Sequence, residues 1–189
     1  MKIRITPGAL LLLAVLFAGE RLLCIATLAA ALFHEAGHIL AARLLGVRLR
    51  LLELDIPGAR LVPTGALPSY RAEALLAASG PAASLLLALL CLPHGGAFAN
   101  ALLWATLSLA LFNLLPVRGF DGERVLCCAL SACLTPPTAR AVCSTLAYLT
   151  LLLLFALSAC LLLRFGEQLS LAVLSASLFT RLFLQEGDT

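Results

Sequence analysis

The sequence predicts an all-α polytopic membrane protein of about six transmembrane helices, with one short β-hairpin between spans two and three. Three observations carry that expectation. Hydrophobic residues make up 62% of the 189-residue chain and charged residues only 12%, against roughly 45–50% and about 25% in an ordinary soluble domain. The apolar residues fall in long runs free of Asp, Glu, Lys and Arg. The one sizeable stretch outside those runs alternates Val47, Leu49 and Leu51 with Arg48 and Arg50, then turns at Pro57-Gly58. A soluble fold of this length has no interior large enough for so much apolar surface, which excludes secreted enzymes, cytosolic enzymes and disordered tails. The net charge of +3 comes from scattered basic residues, so no nucleic acid is expected as a partner.

The elements follow in order. Residues 5–19 form an apolar run behind Lys2 and Arg4. Glu20-Arg21 follows in place of a small-residue cleavage site, so the run reads as a retained first span, not a cleaved signal peptide. The second span, 22–46, contains His34, Glu35 and His38. The hairpin occupies 47–63. The uncharged run from Ala74 to Val117, divided by the turn Pro93-His94-Gly95-Gly96, gives spans 73–93 and 97–117. Pro116 and Gly119 break the pattern, and 118–135 reads as a broken helix whose later part, 125–139, either spans or re-enters. Residues 141–163 supply the fifth span. The sixth, 168–184, needs Arg181 to reach back toward the interface.

Together, residues 1–189 read as a single intramembrane domain with no soluble domain after the last span. With both termini in the cytoplasm, every Lys and Arg except Arg21 and Arg164 falls on the cytoplasmic side, as the positive-inside rule requires. The expected location is a cell membrane, crossed several times. The seven cysteines all lie in apolar stretches without a Cys-x-x-Cys pair, and read as small apolar filler, neither a zinc ribbon nor a disulfide framework.

Ionisable groups inside a bilayer are costly and mark function by default. His34-Glu35-Ala36-Gly37-His38 puts three within one stretch of the second span. Residues four apart lie on one helix face, so both imidazoles can bind one metal ion. Glu35 stands beside that face, placed to take a proton from water. Two histidines leave a catalytic zinc site short of a third protein ligand. Glu53, Asp55, Glu73, His94, Asp121 and Glu123 are the available donors. His94 falls in the turn on the opposite side of the membrane and reads as exposed. Glu73 opens a helix, where an acid suits the dipole. Asp121 stands out because it follows Asn113-Leu114-Leu115-Pro116 and a helix break at the same end of the bundle as the His pair. A membrane metal-binding scaffold or metal transporter without hydrolytic activity is the competing reading; it has no use for a base at Glu35.

These residues resemble the site-2 protease family (M50) of intramembrane zinc metalloproteases. His34 to His38 fit that family's HExxH motif. Asn113-x-x-Pro116 followed by Asp121-Gly122 fits its NxxP…DG motif, and Gly80-Pro81-Ala82-Ala83-Ser84 is similar to its GPxxN segment with Ser for Asn. The early first span and the short hairpin look most like the sporulation (SpoIVFB-type) branch, here without the CBS domain that many members carry. The motif reads Asp-Gly-Glu-Arg where Asp-Gly-Gly-Arg is usual; no ligand is lost. The resemblance implies a metalloendopeptidase in which His34, His38 and Asp121 hold one zinc ion (Zn2+), Glu35 is general base and then acid, and Asn113 binds substrate. It implies a substrate that is a transmembrane or membrane-associated protein, such as a pro-sigma or anti-sigma factor, cleaved under the control of a regulatory membrane partner.

Overall fold

The computed structural model describes residues 2–5, 20–55, 58–64 and 69–165. The expected spans 5–19 and 168–184 lie, apart from Ile5, outside the described residues. The elements run β1 (Lys2–Ile5), α1 (Arg21–Leu44), β2 (Leu49–Asp55), β3 (Gly58–Pro63), α2 (Tyr70–Cys91), α3 (Ala97–Asn113), α4 (Asp121–Ser131) and α5 (Pro136–Phe165). Among them α1, α2 and the Pro136–Cys160 part of α5 are long and apolar enough to cross a membrane, and α3 is a shorter apolar helix.

Local chemistry explains where the helices stop. At the end of α1, Gly46 adopts φ +68°, which lets Val47 N–H reach the Ala42 carbonyl at 2.8 Å and Gly46 N–H reach Arg43 at 3.2 Å. Those two bonds are a Schellman cap. Helix α2 opens on Ser69, whose hydroxyl accepts from Ala72 N–H at 3.1 Å, with Glu73 in the first turn where the dipole favours an acid. Helix α3 ends at Asn113, short of the 117 end expected for its span. Pro116 cannot continue the ladder and disfavours helical backbone at Leu115.

Burial runs opposite to that of a soluble protein. The buried positions of α1 include Ala26, Ala30, His34, His38 and Ala42. Those of α2 include Ala72, Leu76, Gly80, Ser84 and Ala88. Each series recurs every fourth residue, so each helix buries one narrow stripe of mostly small residues. Small residues let helices approach closely where hydrophobic transfer gives no drive to associate. The large side chains point out instead, among them Leu32, Leu89, Trp104 and Leu153. Helix α2 is central and packs on α1, α3 and α4, whereas α5 packs chiefly on α4. A disulfide between Cys127 and Cys143 joins those last two helices, their Cα atoms 6.0 Å apart. That pairing departs from the filler reading of the cysteines; the other five are free.

Strands β2 and β3 pair antiparallel, from Leu49 opposite Pro63 to Asp55 opposite Gly58, with an irregularity between Leu49 and Leu51. Strand β1 adds in parallel on the other side, Lys2 opposite Leu51 through Ile5 opposite Leu54. The sheet therefore has three strands in the order β1-β2-β3. The first strand was not expected: Lys2, Ile3 and Arg4 precede the run assigned to the first span, and Ile5 opens it.

Candidate metal centre

The His stripe of α1 meets α2 on one side and the first residue of α4 on the other. His34 Nε2 and His38 Nε2 each lie 3.2 Å from Asp121 Oδ2 and 3.3 Å from one another. All three residues are buried, at 3%, 6% and 8% exposure, so bulk water cannot solvate them. The opposite ring nitrogens are held by α2. His38 Nδ1 donates to the Leu76 carbonyl at 2.8 Å, with Ser79 Oγ at 3.3 Å. His34 Nδ1 meets Ser84 Oγ at 2.9 Å.

A carbonyl oxygen only accepts, so His38 carries a proton on Nδ1, and when the ring is neutral it presents a lone pair at Nε2. That lone pair faces a carboxylate oxygen, another acceptor, across 3.2 Å. Such an arrangement is repulsive unless a second ring proton or a shared cation lies between the atoms, and the convergence of three such donors on one point suits the cation. The donor set, two imidazoles and one carboxylate, suits a zinc-type ion, and ligand histidines characteristically give their second N–H to a carbonyl or hydroxyl partner. The residues present therefore fit a metal ion. Among the described residues, His34, His38 and Asp121 are the group whose donor atoms lie close enough to share one, all within 4.8 Å.

Asp121 reaches this place because the segment before it is pinned at two points. Val117 N–H closes a tight turn onto Leu115 at 2.8 Å, and Phe120 N–H bonds Val117 at 3.0 Å. Gly119, at φ +94°, turns the chain where an L side chain would be strained. Val117 and Phe120 are buried against Leu151 of α5, with Leu115 and Tyr148 packed on them. Asp121 then begins α4, where a carboxylate suits the positive helix end. Arg124 Nε approaches Glu73 Oε1 of α2 at 3.8 Å across a partly exposed gap, a contact of little energy by itself. Burial raises the Glu123 carboxyl above its ordinary range, against the lowering pull of Arg118 and Arg124.

Glu35 lies in the electrostatic field of His38 and Asp121. Its Oε2 is buried without a hydrogen-bond partner among the described residues. Asn113 stands at the last turn of α3 and donates one amide N–H to its own helix, at Leu109 O, 3.0 Å away. His94 is exposed and bonds the Leu90 carbonyl at 2.9 Å, as expected for a turn residue. Sequence reasoning attached no site role to Leu76 or Ser79. A backbone carbonyl leaves no mark in the sequence, and Ser79 precedes the only motif, 80–84, that drew attention to α2.

Fold and site together define a helical protein of membrane-crossing composition with a buried His-His-Asp metal-binding group between its helices. The chain has the fold of a solved site-2 protease from Methanocaldococcus jannaschii: the TM-score is 0.74 at 19% identity, over 96% of this chain and 89% of that one. No family model matches the sequence, and no curated protein matches it.

Proposed function

We propose that the chain is an intramembrane zinc metalloprotease, a metalloendopeptidase that hydrolyses peptide bonds of a transmembrane or membrane-associated protein. The observation that supports this reading is the meeting of His34, His38 and Asp121 beside the unpaired, buried oxygen of Glu35. A bound zinc ion supplies Lewis-acid chemistry, polarising a carbonyl and bringing the pKa of water toward about 7. His34, His38 and Asp121 hold that ion. Glu35 takes the proton of the attacking water and returns it to the leaving amine. Asn113 keeps its second amide N–H and its Oδ1 for the backbone of an extended substrate.

A substrate helix hides its carbonyls in its own hydrogen bonds and must unwind before it is cut. A strand edge favours the extended form by backbone pairing. Because β2 is flanked by both β1 and β3, that role falls to an outer strand, not to β2. In this reading the whole chain is one domain of the cell membrane with both termini cytoplasmic. A membrane-tethered pro-sigma or anti-sigma factor is a substrate of the fitting kind, and a regulatory membrane partner would set the timing.

The test is cleavage of a panel of epitope-tagged single-span proteins co-expressed with the native chain or with Glu35→Gln. Native protein yields a shortened product, and Glu35→Gln lowers its rate by about 10^2–10^4-fold, the usual contribution of a general base. Zinc content stays unchanged in the variant. Metal transport that survives Glu35→Gln, with no product from either protein, would establish the transporter reading instead.

A further inference from the structure

Three residues spaced by four along α2 touch the two imidazoles in reverse order. Leu76 accepts from Nδ1 of His38, and Ser84 meets Nδ1 of His34. Gly80, between them, lies against both Nε2 atoms: a Cβ added there would overlap Nε2 of His38 and stand 2.7 Å from Nε2 of His34. Glycine weakens a helix interior relative to alanine, and Gly80 is not among the positive-φ glycines that require the residue. Its backbone conformation gives no reason for it; the room it leaves does. Those Nε2 atoms are the ones that converge with Asp121, so a methyl group at 80 would enter the space a shared cation needs.

We propose that the Leu76–Gly80–Ser84 face of α2 is the cradle that sets the metal affinity of the centre, with Ser84 a positioning residue for His34 and Gly80 the clearance for the ion. The inference rests on the metal-centre reading above and is independent of proteolysis. Ser84 acts through the imidazole: by accepting from Nδ1–H its hydroxyl holds the ring's orientation and leaves the Nε2 lone pair for the metal. The hydroxyl is wholly buried, so bulk solvent does not compete for the ring nitrogen it contacts. Leu76 acts through a main-chain carbonyl, which side-chain substitution leaves in place. This makes 80 and 84 the informative positions.

The experiment measures Zn2+ dissociation constants against a competing chelator, and the visible ligand-field bands of the Co2+-loaded protein, for the full chain in detergent micelles. Ser84→Ala is expected to weaken Zn2+ binding about 10–100-fold, the range for loss of such an outer partner, and to shift the Co2+ bands. Gly80→Ala is expected to weaken binding further still. Ser158→Ala removes an equally buried hydroxyl, without a hydrogen-bond partner, and should leave both readings unchanged. Zn2+ binding within twofold of native in Ser84→Ala, with unmoved Co2+ bands, would overturn the proposal even if Gly80→Ala failed to fold. A native chain that binds neither ion would overturn it together with the metal centre. A native chain that binds Zn2+ but cuts nothing would sink the proteolytic reading alone, and the binding constants would still decide the cradle.

Discussion

Gly122 follows Asp121, the carboxylate of the candidate metal group, and sits against the chain that precedes the break. A Cβ there would overlap the backbone carbonyl of Leu114, and neither backbone can yield without moving its helix end. Gly122→Ala is therefore expected to displace Asp121 while leaving the two histidines in place. The expected outcome is a protein that keeps its helical circular dichroism but binds Zn2+ at least about tenfold more weakly, since a displaced ligand costs no less than a lost outer partner. Asp121→Ala should lose more than the about 100-fold upper range of such partners, and His34→Ala and His38→Ala likewise; metal-to-protein ratios after gel filtration check all three. The three residues of this candidate metal group were legible in the sequence for different reasons. His34 and His38 announce themselves by helical spacing inside an apolar run, where chance polar residues are rare. Asp121 was marked by the break before it. The partners that orient the rings were not legible as such, because contacts of Leu76, Ser79 and Ser84 with α1 arise only when two helices are laid side by side.

The segment between α3 and α4 does for the site what no single residue can. It carries the chain out of one helix and starts another at Asp121, and it is held by its own turn hydrogen bonds and by apolar contacts with α5. Val117 and Phe120 flank the Arg118-Gly119 turn and close on Leu151, which is fully buried in α5. Leu151→Ala would leave a cavity beneath that turn. The expected loss of stability is on the order of 2 kcal/mol, at or below the low end for Leu→Ala because transfer from water contributes little among lipid-facing helices. The same variant should weaken Zn2+ binding although position 151 touches no ligand; a thermal melt and a chelator competition on one preparation check both. The break itself was plain from Pro116 and Gly119. The end of α3 at Asn113 was not, since Leu114, Leu115 and Val117 are as apolar as the helix they follow and composition shows no boundary. Strand β1 was harder still. Its partner in β2 lies beyond the whole of α1, and four residues of parallel pairing leave no periodicity to read.

Three helices, all with the length and apolarity to cross a bilayer, bury mostly alanine, glycine, serine and cysteine and turn leucine outward. That distribution makes sense only if the outer medium is itself apolar, and it yields the sharpest distinction between lipid and water as the solvent of this chain. Leu153 lies well within α5 at 70% exposure. On a soluble protein, lysine at so open a position would be neutral, within about 0.5 kcal/mol. In a bilayer a lysine near the centre of a span costs about 2.5–3.5 kcal/mol on insertion scales. Leu153→Lys is therefore expected to reduce the membrane-integrated fraction sharply, whereas Leu153→Ala, which removes bulk without adding charge, should change it little. Carbonate extraction of membranes from cells expressing each variant makes the measurement. Equal retention of the two variants in the pellet would mean that Leu153 does not face lipid, and the small-inside, large-outside arrangement would need another explanation. Retention of the alanine variant alone would show that the side chains left outside by the helix packing are the ones the membrane covers.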